Sequence, residues 1–122
     1  MTDTEQRLVV ALAAEARGPR RNGIFAIWLF ARVAEAVLPP DGVSLRSHRQ
    51  RVEALQRRLS SITLPVPLRR AMASAMRVVA DGTPKAAALA LNQLIAPAQE
   101  TLGPPVADAL ASAAGRARRA AG

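Results

Sequence analysis

The sequence predicts an all-α protein, a compact bundle of five to six helices in a single domain. Three observations favour this fold class. The chain has 122 residues, the size of one ordinary domain. Half of its residues are hydrophobic, yet only two are phenylalanine, one is tryptophan and none is tyrosine. Apolar residues also recur at helical spacing in several segments, which indicates close-packed helices rather than a sheet.

Helix signals begin at the first residues of the chain. Thr2 and Glu5 form a capping box, which predicts a first helix over residues 3–17. Asn22 is the candidate cap of a second helix, which covers residues 24–38 and stops at a proline pair. This second helix is apolar on nearly every side, as expected of a helix at the centre of a bundle or in contact with a partner subunit. The candidate partner contacts are Phe25, Trp28 and Phe30.

The third helix has the clearest repeat in the chain. Ser44 or Ser47 can cap it, and the LPVP segment after Thr63 ends it. Its apolar stripe has alternating spacings of three and four and consists of Leu45, His48, Val52, Leu55, Leu59 and Ile62. This spacing is typical of a seam between two helices, so the arginines of the segment must lie off that seam.

Shorter helices are predicted for the rest of the chain. A fourth helix covers residues 67–80 and is closed by Asp81-Gly82, and a fifth covers residues 84–95 behind Thr83-Pro84. A short helix reaches residue 102, and a last weak helix covers residues 105–114. The predicted organisation is therefore a helical bundle domain over residues 1–114, followed by a basic, disordered tail over residues 115–122.

Positive charge is concentrated in the middle of the chain. The net charge is +8, and residues 46–77 alone carry eight arginines against one acid, Glu53. Residues 1–45 are neutral, residues 78–110 are slightly acidic, and residues 111–122 carry three arginines. An acidic partner would therefore meet the middle segment first.

Arginine rather than lysine supplies this charge. Sixteen of the 17 basic residues are arginine, and guanidinium makes planar, bidentate contacts with phosphate that ammonium cannot make. We therefore expect the phosphate backbone of RNA or DNA as partner, with the candidate contacts Arg46, Arg49, Arg51, Arg57, Arg58, Arg69, Arg70 and Arg77. A secondary basic set consists of Arg20, Arg21, Arg116, Arg118 and Arg119. Coding bias in a GC-rich genome is the alternative explanation, since alanine, glycine and proline are abundant as well.

Backbone contact is a better prediction than base recognition. All three aromatic residues lie in one apolar helix, so base stacking is not expected to dominate. Residues 68–94 resemble a helix-turn-helix only superficially. The second helix of that segment offers Lys85, Asn92 and Gln93, which is too little for base readout.

No catalytic, metal or cofactor site is predicted. The chain has no cysteine and its acids are scattered. Its one histidine, His48, lies on the apolar stripe, where packing is expected rather than proton transfer. The acidic start MTDTEQ is unlike a signal peptide, and the longest apolar run contains Arg32 and Glu35, unlike a membrane span. We expect a cytoplasmic protein without a membrane partner.

The apolar helix IFAIWLFARVAEAVL and the arginine-bearing segments SLRSHRQRVEALQRR and LRRAMASAMRVV form part of a small, all-helical chain. In this the chain resembles the small subunit of class 1 CRISPR effector complexes, a compact helical protein that lines up in several copies along the guide–target duplex. The resemblance implies non-catalytic backbone binding through the eight arginines of residues 46–77. It also implies assembly, in antiviral defence, with the protein subunits of a larger ribonucleoprotein, copies of the same chain among them.

Two other functions fit the same residues. A free-standing, nucleoid-type DNA-binding protein would have a similar composition and a similar arginine surface. A helical adaptor or structural protein would instead bind a protein partner through its apolar helix faces, and its arginines would serve solubility.

Overall fold

The computed structural model describes residues 2–15, 17–40 and 42–122. Within these ranges there is no β-strand, and the chain forms the helices α1 Asp3–Ala14, α2 Pro19–Glu35, α3 Leu45–Leu59, α4 Val66–Val79, α5 Pro84–Gln93, α6 Ile95–Leu102 and α7 Pro104–Ala120. The helices α5 and α6 adjoin at Leu94, so the bundle has six helices if this pair is counted as one bent helix. The predicted all-α bundle is confirmed.

The helix α2 lies at the centre of the bundle. It contacts α1, α3, α5, α6 and α7, and Ile24, Ile27 and Phe30 are among its buried side chains. The apolar surface of this helix predicted either a central position in the bundle or contact with a partner subunit, and the helix does lie at the centre. The helix α3 packs on α2 and α4 at the edge of the bundle, and buries only His48, Val52 and Leu55.

Alanine lets α5 and α7 approach each other closely. Ala87 and Ala90 of α5 and Ala109, Ala113 and Ala117 of α7 are fully buried. The distance between packed helices depends on the side chains at their contact, and small side chains allow close approach. The alanine-rich second half of the sequence therefore forms a closely packed pair of helices, and both of them contact α2.

Three of the predicted helix starts are confirmed by side-chain caps. The hydroxyl of Thr2 accepts a hydrogen bond from the backbone N–H of Glu5 at 3.1 Å, and Thr83 caps α5 in the same way. Of the two serines proposed as the cap of α3, Ser44 is the one that accepts, from Ser47 N–H at 3.2 Å. Each cap satisfies a donor that has no partner within its helix.

The predicted cap at Asn22 is wrong. The helix α2 begins one turn earlier, at Pro19, behind Gly18 with φ 93°. Proline suits the first position of a helix because its φ angle is already helical and its missing N–H would have no partner there. Asn22 lies inside α2, and its side-chain amide donates to the carbonyl of Thr63 at 3.3 Å.

Several predicted helix ends also move. The helix α1 ends at Ala14 and α2 at Glu35, three residues earlier than predicted in each case. The helix α3 ends at Leu59, where the hydroxyls of Ser60 and Ser61 donate to carbonyls of the last turn. Pro97 lies inside the first turn of α6, where no N–H partner is needed.

The predicted end of the last helix at Ala114 is wrong. The helix α7 continues through Gly115 to Ala120, so residues 115–120 of the predicted disordered tail are helical. Ala117 is fully buried, and Arg116 forms an ion pair with Glu35 of α2. Packing on the bundle therefore outweighs the low helix propensity of one glycine.

Candidate nucleic-acid interface

The arginines of α3 are directed outward by the burial of its opposite side. His48, Val52 and Leu55 are buried, and Leu59 is half-buried. With about 100° between successive residues, Arg46 and Arg57 lie on the outer face, Arg51 and Arg58 on one flank, and Arg49 on the other. All five are exposed, as predicted. The stripe packs less fully at its start, where Leu45 is 45% exposed.

The helix α4 adds three more exposed arginines. Its core side chains are Leu68, Met72, Ala75, Met76 and Val79. Arg70 and Arg77 are two turns apart on the outer face, and Arg69 lies on a flank; all three are exposed. Helices α3 and α4 contact each other, so the eight arginines belong to two adjoining helices.

None of these eight arginines has a carboxylate within ion-pair distance among the described residues. The ion pairs that the structure does contain involve Arg7, Arg20, Arg32 and Arg116. The acids in those pairs are Asp3, Glu5, Glu15 and Glu35, none of which lies on α3 or α4. The eight arginines of these two helices are exposed, and Glu53 is the single acid that the two helices contain. We call this set of eight residues the arginine surface.

The flank of α3 that carries Arg51 and Arg58 faces α2 rather than α4. It forms one wall of a concavity between α2 and α3, the α2–α3 groove, which is lined by Leu29, Arg32, Val33, Arg51, Ala54, Leu55 and Arg58. None of the three arginines of α4 lines this groove. The structure instead brings Arg51 and Arg58 together with Arg32 of α2.

Arg32 was not a predicted site residue. Its position could have been inferred from the spacing of Phe25, Trp28, Leu29 and Arg32, which places all four on one face of a helix. This arginine interrupts the apolar run, and it also lies one helical turn beyond Trp28. Arg32 also lies 3.9 Å from a carboxylate oxygen of Glu5 in α1.

The three aromatic residues have different surroundings. Phe30 is fully buried in the core and cannot contact a partner, so that prediction is wrong for this residue. Phe25 and Trp28 are half-buried and stacked, with their ring centroids 5.9 Å apart and their planes inclined by 25°. The guanidinium carbon of Arg58 lies 5.3 Å from the Phe25 centroid, and that of Arg32 lies 4.9 Å from the Trp28 centroid.

The secondary basic set divides into two groups. Arg20 donates to the carbonyl of Leu102 at 2.9 Å and pairs with Glu15, while Arg116 pairs with Glu35 at 2.6 Å. Both guanidinium groups are engaged within the molecule, although the Arg20 side chain is still 53% exposed and that of Arg116 only 29%. Arg21, Arg118 and Arg119 are exposed.

His48 is a packing residue of the seam. Its side chain is fully buried, and its Nε2 donates to the carbonyl of Val79 at 2.6 Å. In the described part of the chain, no group of three or more histidine or acidic side chains is arranged to hold a metal ion. No described helix combines the length and the apolar character needed to cross a membrane.

Comparisons of the chain with models of known protein families, with curated proteins and with solved structures find no match.

Proposed function

We propose that this chain is a non-catalytic nucleic-acid-binding protein that contacts the phosphate backbone of RNA or DNA through the arginine surface. It would act as an accessory small subunit of a larger ribonucleoprotein, such as a class 1 CRISPR effector complex. One observation carries the proposal: eight exposed arginines on two adjoining helices have no carboxylate partner among the described residues.

Charge balance elsewhere in the chain supports a functional origin for this surface. Coding bias alone would enrich arginine without regard to position. Among the described residues, four of the eight arginines outside residues 46–77 form ion pairs with acids, whereas none of the eight arginines of α3 and α4 does. The helix α3 contains a single acid and α4 none. Exposed guanidinium groups in this arrangement suit the bidentate contacts that phosphate accepts.

The proposal predicts a strong dependence of affinity on salt. If about five arginines each contact a phosphate, the logarithm of the association constant falls with the logarithm of salt concentration at a slope of about −3.5 to −4.5. Fluorescence anisotropy of a labelled oligonucleotide, measured over a range of salt concentrations, gives this slope. Backbone contact also predicts similar affinities for unrelated sequences of the same length and strandedness.

Charge reversal tests the surface directly. In the test variant, four arginines are changed to glutamate: Arg51, Arg58, Arg69 and Arg70. In a matched control of the same net charge, the exposed arginines Arg17, Arg21, Arg118 and Arg119 are changed instead. We expect the test variant to lose about a hundredfold or more in affinity and most of its salt dependence, while the control keeps most of both.

Comparison of the two variants distinguishes an effect of these four positions from an effect of the net charge of the protein. Equal losses in the two variants would mean that only net charge matters, and unchanged affinity in the test variant would refute the proposal. Circular dichroism should show unchanged helicity in both. Arg69 and Arg70 are the fourth and fifth residues of α4, and glutamate near the start of a helix is favoured by the helix dipole.

A helical adaptor is the second candidate, and one observation favours it. Leu89 is 53% exposed on α5 and lines a concavity with Lys85, Ala88, Asn92, Arg118 and Ala121, which lie on α5 and at the end of α7. A protein partner that remains bound after nuclease treatment and at high salt, and that Leu89→Asp releases, would favour this function. Release of the partner by nuclease would favour the ribonucleoprotein.

A further inference from the structure

We propose that the α2–α3 groove binds a single-stranded nucleic acid, with bases stacked on Phe25 and Trp28 and phosphates paired with the groove arginines Arg32, Arg51 and Arg58. This inference rests on the proposed function and refines it, because phosphate contact alone does not distinguish a single strand from a duplex. Three arginines line the groove, and two of them lie over the rings of Phe25 and Trp28 beside it. Aromatic and cationic groups together are typical of single-strand binding sites.

Guanidinium groups stand on both walls of the groove. Arg32 belongs to the α2 wall, and Arg51 and Arg58 belong to the α3 wall. Arg51 and Arg58 are seven positions apart in α3, which places them about 10.5 Å apart along the helix axis. Two non-adjacent phosphates of one strand can therefore pair with the α3 wall, with a further contact on the opposite wall.

The floor of the groove is apolar. It is formed by Leu29 and Val33 of α2 and by Ala54 and Leu55 of α3. None of these side chains can hydrogen-bond to a base edge, so the floor can accept any base without reading its identity. A strand lying in the groove would therefore be held by stacking, by apolar contact and by phosphate pairing.

The aromatic pair lies on the same face of α2 as the groove residues. Two groove arginines lie over these half-buried rings, Arg32 over Trp28 and Arg58 over Phe25. Guanidinium binds phosphate through charge-assisted, bidentate hydrogen bonds. If both side chains turn from the rings to the phosphates of a bound strand, they leave two stacked rings for the bases. Only an unpaired strand offers its base faces, so this site selects against duplex.

Carboxylates limit the site at one end. Beyond Arg32 and Arg51 the groove continues into a wider pocket of about 670 Å³ that is also lined by Glu5, Glu35 and Arg116. Arg116 is paired with Glu35 there, so this region offers little net attraction for phosphate. The strand should therefore occupy the end of the groove near Arg58 and Phe25.

Trp28 provides a direct signal for the test. The chain has one tryptophan and no tyrosine, so its intrinsic emission reports the proposed platform alone. The wild-type protein is titrated with oligothymidylate, with oligouridylate and with a DNA duplex of equal length. Anisotropy of a labelled probe measures total binding in parallel. We expect single strands to quench Trp28 at the concentrations at which they bind, and the duplex to leave its emission nearly unchanged.

Substitutions separate the groove from the rest of the arginine surface. Trp28→Leu should lower the affinity for oligothymidylate about tenfold or more by anisotropy, with no change for duplex, and Trp28→Phe should restore most of the loss. The control variant changes Arg46 and Arg57 of the outer face to alanine, and should weaken single-strand and duplex binding equally. Thermal denaturation checks that each variant is folded.

Each possible outcome has a distinct meaning. Equal binding of single strands and duplex without a change in Trp28 emission would overturn this inference and leave the proposed function intact. No binding of any nucleic acid would overturn both. Quenching by polyglutamate but not by oligonucleotides would overturn the inference in favour of an acidic polypeptide.

Discussion

A hydrogen bond of His48 connects α3 to the C-terminal end of α4. The His48 ring is fully buried, and its Nε2 donates to the carbonyl of Val79, the last residue of α4. The same carbonyl accepts from the backbone N–H of Gly82 at 3.1 Å. Within the described residues, the Nδ1 atom of His48 is buried without a hydrogen-bond partner. The imidazole is the polar group on an otherwise apolar seam, and it donates a hydrogen bond to a carbonyl at the C-terminal end of α4.

Two substitutions of His48 should distinguish how much the volume of the ring and how much its hydrogen bond contribute to the free energy of unfolding. We expect His48→Ala to lower the free energy of unfolding by about 2–4 kcal/mol, because it leaves a cavity in the seam and removes a buried donor. His48→Leu fills most of the volume and should cost only about 1 kcal/mol, since Gly82 still donates to Val79. Urea denaturation measures both. Equal losses would show that the hydrogen bond, rather than packing, dominates.

Whether a residue is buried or exposed can be predicted from the sequence when that depends on residues of the same helix. The spacing of His48 within one helix was enough to predict its burial, and the arginines of α3 were placed correctly by the same periodicity. Arg116 was predicted as a surface residue and is instead paired with Glu35, 81 positions away. Nothing in the neighbourhood of either residue indicates that pairing, because it depends on how α2 and α7 assemble.

At the scale of the helix, glycine proved an ambiguous signal. Gly82 closes α4 as predicted, with φ 71° and with Thr83-Pro84 immediately behind it. Gly115 was also predicted as a stop, but α7 passes through it. The difference lies in the residues around it, since Ala113, Ala114 and Ala117 are fully buried against the bundle. A glycine costs a helix only about 1 kcal/mol, which tertiary packing can offset.

Replacement of two helical glycines by alanine should change the stability of the protein in opposite directions. A Cβ atom at Gly115 would lie 3.5 Å from Arg119, an ordinary contact. Gly115→Ala should therefore stabilise the protein by about 0.5–1 kcal/mol through helix propensity. At Gly23 the added atom would lie 2.7 Å from Leu102 and 3.2 Å from Leu68, both buried.

We expect Gly23→Ala to destabilise the protein by about 1–3 kcal/mol in spite of the same gain in propensity, because the core must shift to admit the methyl group. Thermal denaturation of the two variants side by side measures the difference. A stabilising Gly23→Ala would mean that the side chains of the core move aside at little cost.

At the scale of the whole molecule, one polar cluster joins both ends of the chain to the central helix. Arg116 of α7 pairs with Glu35 of α2 at 2.6 Å, and also donates to Ser112 and to the buried hydroxyl of Thr4 in α1. The Glu35 side chain is only 10% exposed. The all-α class followed from local periodicity, whereas this closure of the bundle links residues more than 100 positions apart and has no local signature.

Removal of one partner of this ion pair should be far more harmful than removal of both. Arg116→Leu leaves the Glu35 carboxylate buried without its cation, and we expect a loss of about 3–5 kcal/mol in the free energy of unfolding. Adding Glu35→Leu removes the unpaired charge and should recover most of that loss. Arg119→Leu, at an exposed position of the same helix, is the control and should change stability by less than about 0.5 kcal/mol.

The same variants test the division of arginines between structure and binding. Because Arg116 is engaged with Glu35, the double variant Glu35→Leu, Arg116→Leu should bind oligonucleotides as tightly as the wild type at temperatures where both are folded. Its net charge is also unchanged, since one acid and one base are lost together. Chemical denaturation followed by anisotropy titration gives both quantities from one preparation. A tenfold loss of affinity in the folded double variant would return Arg116 to the nucleic-acid interface, and would extend that interface from α3 to α7.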